Sequence, residues 1–245
     1  MTGLAVDDAA WTSAWRHRSP GDKLLLCGGL VVCALLLPAW PGSVLVGLVA
    51  VGLALGPARV PARTFGRAVR LPLAFVTVGA LTAVVAVDGD GIGWAPDAAA
   101  RAGSLAGHAL AGSAAVLLLA TTTPMSDLLP ALRRMRVPEA VVEVASVVYR
   151  LLFVLLDSLR TIREAQTARM GYSSLRRSYR SSGVLAAAVL TRSWDRARRM
   201  QAGLAGRGLE TGLRVLPEAL PSSRAFLVTT GAGLAGIVAA SLAIA

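Results

Sequence analysis

Five stretches of this chain contain no Asp, Glu, Lys or Arg and are built mostly from aliphatic side chains: 24–37, 43–56, 71–87, 102–121 and 225–245. Several approach the roughly 20 residues that cross the hydrocarbon core of a bilayer. A soluble domain has no need for so many uncharged runs. The sequence therefore reads as an all-α integral membrane protein, and what stands between the runs decides how it is threaded.

The charge is strongly positive, +11 net, and sits mainly between the apolar segments, where it orients a membrane protein and attracts anionic headgroups. That placement argues against a nucleic-acid partner. Arg16, Arg18 and Lys23 precede the first run, and Arg59, Arg63, Arg67 and Arg70 fall in the loop 57–70 with no acid among them. The segment "VDGDGIGWAPD" (87–97) instead carries Asp88, Asp90 and Asp97 and no base. Positive loops stay in the cytoplasm, so the first two are inside and the acidic one outside. Both ends of 24–56 are then inside, which requires a reversal at "LPAWP" (37–41), where Pro38 and Pro41 break helices and Trp40 suits the interface. Cys27 and Cys33, six apart on one helix, point in different directions and read as small apolar fillers. The N-terminus starts acidic, and no small-residue cleavage site follows the first run, so no removable signal peptide is expected.

After segment 102–121, "TP" breaks the chain, Ser126 is placed to cap a short helix, and Arg133, Arg134 and Arg136 follow. Residues 138–157 are apolar enough to suggest a span. However, Glu139, Glu143, Ser146, Arg150 and Asp157 draw one polar stripe along a helix. The region 158–214 beyond holds 12 arginines against Glu164, Asp195 and Glu210, which keeps both flanks inside. The expectation is a helix lying along the inner leaflet, continued by 158–171, with Arg160 and Glu164 spaced to pair. A polar turn is expected over 172–183, closed by Gly183, and a second long helix over 184–208. The resulting scheme has about five transmembrane helices plus a cytoplasmic coupling domain of long amphipathic helices. Its parts are N-terminal transmembrane helices (1–121), cytoplasmic coupling helices (122–223) and a C-terminal transmembrane helix (224–245) whose end is outside.

The two long helices close alike. "AQTARMGY" (165–172) ends in Arg169 and then Gly171, and "AGLAGRGLE" (202–210) places Arg207 before Gly208. Glycine stops helices and leaves carbonyls bare, and an arginine there can meet those carbonyls or reach a partner's carboxylate with a planar fork. Either Arg-Gly end alone is adequately read as a cap with a solubilising arginine. Two of them in the one sizeable cytoplasmic element point towards docking.

Catalysis has little support. His17 and His108 are far apart in sequence, and no HExxH, CxxC, GxSxG or GxxxxGK[ST] occurs. "DGDG" (88–91) lacks the later ligands of a calcium loop. No metal site, cofactor or enzymatic activity is expected, and His108 reads as a neutral histidine bonded within the bundle. A standalone channel or secondary transporter would want an internal repeat and polar residues at mid-span, and neither is evident.

Over nearly its whole length the chain resembles the transmembrane T component of energy-coupling-factor transporters, most of all the cobalt-transport CbiQ branch. "HRSPGDKLL" (17–25) is similar to that family's entry into its first helix, and "LLPALRRMRVP" (128–138) to its short helix and Leu-x-x-Leu-x-Val-Pro style exit. The two cytoplasmic ends resemble the family's paired Ala-Arg-Gly elements. Here the first reads Ala168-Arg169-Met170-Gly171, with one residue before the glycine. The second reads Ala205-Gly206-Arg207-Gly208, with glycine in place of alanine. The resemblance implies a multi-pass scaffold in a bacterial inner membrane. It further implies that Arg169 with Gly171, and Arg207 with Gly208, dock into grooves on two ABC-type ATPase subunits, and that a separate membrane subunit binds the substrate. Cobalt is the cargo this likeness implies; nickel or a vitamin remains open, and a membrane-bound enzyme is the remoter alternative.

Overall fold

Prolines set the first reversal. Helix α1 covers Ala5–Thr12, and α2 runs over Pro20–Leu36 and stops there, because Pro38 has no N–H with which to extend it. A short π-type turn over Ala39–Ser43 follows, in which Trp40 leaves helical geometry (φ −118°, ψ 125°), and α3 then runs over Val44–Leu55. The structure, a computed structural model, describes residues 5–88, 91–94, 97–207 and 222–244. Gly208 and Asp90, both used in the reading above, lie outside the described residues.

Helix α5 (Ala98–Thr122) gives the direction of every neighbour. Lys23, in the first turn of α2, meets Thr122 at the end of α5, while Ala34, near the end of α2, meets His108 near the middle of α5. The two helices are therefore antiparallel. Ser43 also meets His108, and a Cβ on Gly47 would lie 3.8 Å from the Ala111 Cα, so α3 runs parallel to α5. The chain has thus reversed between α2 and α3, as the prolines require. Helix α4 (Ala62–Val84) turns through the short antiparallel pair β1 (Val85–Asp88) and β2 (Gly91–Trp94) and returns as α5. Helix α9 (Arg224–Ile244) starts beside Asp22, and its Ser241 lies against Gly42, so it runs parallel to α2. Consecutive helices of this bundle alternate in direction.

Three of these helices are long and apolar enough to cross a membrane: Ala62–Ala83, Ala98–Thr122 and Arg224–Ile244. Helices α2 and α3 have 17 and 12 residues, about 25 and 18 Å long against a core of about 30 Å. The reversal anticipated at 37–41 is present, while its two arms are short. One boundary needs correction. Residues 57–70 are not a loop throughout: Pro61 starts α4, and Arg63, Arg67 and Arg70 fall on one face of its first turns. Nothing between Ala62 and Arg70 breaks a helix, so the basic run continues the span as helix.

The core is made of small side chains. Ala34, Ala50, Ala54 and Ala115 are fully buried, with Ala111 and Ala114 beside them, and Leu30, Val46 and Leu118 fill the gaps. Where lipid tails are as apolar as the helices themselves, such residues hold a bundle together by letting backbones approach closely.

The chain divides into two compact units: Met1–Ala131 with Glu218–Ala245, and Leu132–Pro217. Helix α6 (Met125–Arg134) runs through the join. Ser126 lies inside α6 rather than capping it; its hydroxyl donates to Asp127, and the preceding break is formed by extended Thr123 and by Pro124. The second unit is a helical hairpin of α7 (Glu139–Ala168) and α8 (Leu175–Ala205). The connection is much shorter than the turn expected over 172–183. Ser174 caps α8 by accepting from the Arg177 amide (3.4 Å), and Gly183 lies within the helix. Arg160 pairs with Asp157 at 3.7 Å, and Arg133 with Glu139. Val142 is the buried residue of α7, and α8 has none.

Candidate docking elements and the helical frame

The end of α7 is a Schellman motif with an unusual occupant. Arg169 is the cap residue, the Met170 amide donates to the Thr167 carbonyl (3.0 Å), and the Gly171 amide donates to the Gln166 carbonyl (2.8 Å). The left-handed position is taken by Met170 (φ 58°), not by glycine. An L-residue pays about 1–2 kcal/mol for that conformation. Gly171 is needed for a different reason: a Cβ there would come within 2.8 Å of the Gln166 carbonyl oxygen and of the Ser181 Oγ. The residue between arginine and glycine thus makes the turn, and the glycine lets α8 close over it.

Three side chains lock this turn that the sequence reading passed over. The Ser181 hydroxyl donates to the Gly171 carbonyl (2.8 Å), the Gln166 amide donates to the Ser181 carbonyl (3.2 Å), and the Tyr172 hydroxyl donates to Gln166 Oε1 (2.8 Å). Arg163 lies 5.8 Å from the centre of the Tyr172 ring. Gln166 and Tyr172 at six-residue spacing across a predicted helix end carried a hint, but Ser181 was hidden by the assignment of 172–183 as turn.

Arg169 itself is exposed, and among the described residues its guanidinium has no hydrogen-bond or ion-pair partner. Arg207 is the same. It follows Gly206, which caps α8 in right-handed geometry (φ −63°, ψ −15°), and only its amide is engaged, donating to the Leu204 carbonyl (3.1 Å). Gly208, its expected companion, lies outside the described residues. The structure does not bring the two arginines together. They stand at opposite ends of α8, whose 31 residues span about 46 Å.

The helices of the first unit are tied by polar contacts that answer orphaned helix carbonyls. Thr122 ends α5, so its carbonyl has no helical donor. The fully buried Lys23 supplies one from Nζ at 2.9 Å. The residue four beyond Ala34 is Pro38, which has no N–H to offer; His108 Nδ1 donates to that carbonyl at 2.6 Å and also faces the Ser43 hydroxyl at 2.8 Å. His108 is thus a bonded residue of the bundle, as the sequence suggested. Asp22 accepts from the Ser222 hydroxyl (2.9 Å) and the Ser223 amide (3.0 Å), and so anchors the start of α9 to α2. Lys23 carried a signal that composition alone could not interpret: it is the single lysine in a chain of arginines.

The chain is 38% identical over 237 residues to the cobalt transport protein CbiQ of Rhodobacter capsulatus, covering 96% of this chain and 97% of that one. It is 32% identical over 213 residues to the cobalt transport protein CbiQ of Salmonella typhimurium, covering 82% and 93%. A putative fused cobalt transport protein CbiMQ of Methanocorpusculum labreanum is 27% identical over 226 residues, which cover 87% of this chain and 37% of that longer one. Residues 12–216 match the family described as cobalt transport protein, CbiQ. With most of its length accounted for in this way, the chain belongs to the CbiQ family of membrane transport proteins.

Proposed function

We propose that this chain is the multi-pass coupling scaffold of an energy-coupling-factor importer in a bacterial cell membrane. It takes movement from two ABC-type ATPase subunits and passes it to a separate substrate-binding membrane subunit, with cobalt ion as cargo. The observation that carries the reading is the placement of Arg169 and Arg207: both exposed, both without an internal partner among the described residues, and one beyond each end of α8, a helix about 46 Å long. A solubilising cap has no need of that separation. Two separate acidic grooves, one on each of two motor subunits, fit it. The cobalt assignment is supported by the names of the relatives, and a separate membrane subunit is supported by a relative whose name describes a fusion.

In this reading α2, α3, α4, α5 and α9 cross the membrane in turn, with 88–97 and the C-terminus outside, and α7 does not cross. The locked turn at Gly171 and Ser181 lets α7 and α8 move as one lever, since a docked arginine can transmit force only through a rigid helix end. Nucleotide-driven closure of the motors would then tilt the lever, and the frame tied by Lys23 and His108 would resist deformation. The test is co-purification of the ATPase subunits with Arg169→Glu, Arg207→Glu and the double variant, alongside ATP-dependent cobalt uptake. Loss of both in the double variant is expected; normal assembly and uptake would leave the arginines as simple caps. A reporter fused after Asp157 should be active on the cytoplasmic side, and a periplasmic signal there would overturn the threading.

A further inference from the structure

An apolar crevice of about 480 Å³ opens between α2, α3 and α9. Leu26, Leu30, Val49, Leu53, Leu234 and Ile237 supply its walls, and Arg18 and Phe226 stand at one end. From Phe226 to Ile237 the crevice follows α9 for 12 residues, a rise of about 16 Å, close to half of a bilayer core of about 30 Å. It is therefore one leaflet deep. With α9 taken as the span that its length and composition allow, the wall falls at hydrocarbon depth and the arginine end at the headgroups.

The mouth has a defined charge. Arg18 Cζ lies 4.9 Å from the centre of the Phe226 ring and 5.9 Å from that of Trp15, and the two rings pack edge to face at 5.5 Å. These contacts hold the Arg18 side chain beside the two rings, and among the described residues its guanidinium has no hydrogen-bond or carboxylate partner. The nearby carboxylate of Asp22 is buried, and its two oxygens accept from Ser222 and Ser223. The crevice mouth thus presents a cation with no ion-pair partner among the described residues, of the kind that pairs with a phosphate oxygen.

The geometry points to a site for one anionic phospholipid, its acyl chain lying in the crevice and its phosphate on Arg18. Charge complementarity and depth together select this occupant: a neutral chain would use the groove but not the cation, and a soluble anion would use the cation but not the groove. The site goes beyond the coupling role and does not depend on it, so the experiment uses the full-length chain alone, without ATPases.

The chain is reconstituted in nanodiscs of phosphatidylcholine doped with a trace of phosphatidylglycerol carrying a photoreactive acyl chain, or with the matched photoreactive phosphatidylcholine. Labelled peptides are then mapped. Phosphatidylglycerol should label the crevice face of α9 around Leu234 in preference to phosphatidylcholine, and Arg18→Ala should lower that labelling about fivefold, the factor expected for one basic group at an anionic surface. Gly233 lines the crevice and has nothing within 4 Å of an added Cβ, so Gly233→Trp should fill the groove and abolish labelling without disturbing the bundle. Gly231 is equally open, lies outside the crevice, and serves as the control; Gly231→Trp should label normally. Equal labelling by both lipids, or equal loss in both tryptophan variants, would overturn the site and leave only annular lipid. A photoreactive residue at Leu234 that crosslinks to another protein in whole cells would overturn it too, by giving the crevice to a protein partner.

Discussion

The charged groups singled out in the two units differ in what they meet. In the first, Lys23, His108 and Asp22 each meet a backbone group at a helix end on another element of the same unit, and Ser43 faces His108. In the second, Arg169 and Arg207 are exposed and unengaged among the described residues, and Val142 is the residue that α7 and α8 bury. A bundle read as spanning a membrane has reason to answer its polar groups internally, because each orphan is costly in lipid; Arg16 Nη1, Thr123 Oγ1 and Ser241 Oγ are the buried atoms left without a partner among the described residues. Under the proposed function the second unit is a lever in water, which need not answer its polar groups internally and can keep its charges for another protein. The difference teaches where each kind of substitution should act: on the chain itself in the first unit, on assembly in the second.

The largest expected effect follows from that split. Arg169→Glu with Arg207→Glu should abolish ATPase co-purification, since truncating one side of a buried charge-assisted contact costs about 2–5 kcal/mol and reversed charge adds repulsion. Arg169→Ala should be milder than Arg169→Glu. The thermal midpoint of the purified chain should not move, because neither guanidinium has a partner within it among the described residues. A lowered midpoint with retained ATPases would break the comparison from the side of the second unit.

Next come the ties of the first unit. Lys23→Met and His108→Phe keep bulk but orphan the Thr122 and Ala34 carbonyls, and each should destabilise the bundle by about 1–3 kcal/mol. Melting in detergent should show it, whereas the ATPase subunits should still bind at low temperature. Were Lys23→Met to leave melting unchanged and release the ATPases, Lys23 would be part of the docking apparatus and not of the frame.

How much of this was visible beforehand depended on the kind of signal. Uncharged runs and prolines are strong signals, so the helices, the reversal at Pro38 and the helix break at Thr123–Pro124 could be read directly. Arg63, Arg67 and Arg70 were misplaced because charge suggested a loop, although a span can carry its arginines on the first turns of its own helix. The turn between α7 and α8 was misread for a similar reason. Serines and arginines over 172–183 look like a loop, but Ser174 is a cap and the rest has helical spacing. At the ends of α7 and α8, the position of Arg169 and Arg207 just beyond the helices was legible, and the backbone was not. Nothing in "ARMG" shows that Met170, rather than Gly171, adopts the left-handed conformation, because the choice depends on how closely Ser181 approaches.

That close approach gives a smaller, local effect. Gly171→Ala sets a methyl against the Gln166 carbonyl, a fixed backbone atom, and should cost about 1–3 kcal/mol, as overpacking does. Amide exchange at Met170 and Gly171 should accelerate, while the first unit stays protected. If the lever must be rigid to transmit movement, the same variant should bind ATPases and still transport poorly. Normal transport with a loosened turn would show that coupling does not run through the hairpin.

The smallest effect tests the second unit from its middle. Gly183 lies inside α8 with nothing within 4 Å of an added Cβ. Glycine in an exposed helix interior is about 0.8–1 kcal/mol less favourable than alanine, because its backbone loses more freedom on folding. Gly183→Ala should therefore stabilise α8 and slow amide exchange around residue 183 about four- to fivefold, with no change in the first unit. Had Gly183 been the end of a turn, alanine would instead strain the backbone and speed exchange. Transport adds a second readout. A lever that works as a rigid rod should gain or hold its rate when the rod is stiffened, whereas one that bends at Gly183 should slow. A stiffer helix with slower uptake would place a hinge in the middle of α8, and the two arginines would then report on two half-levers and not on one.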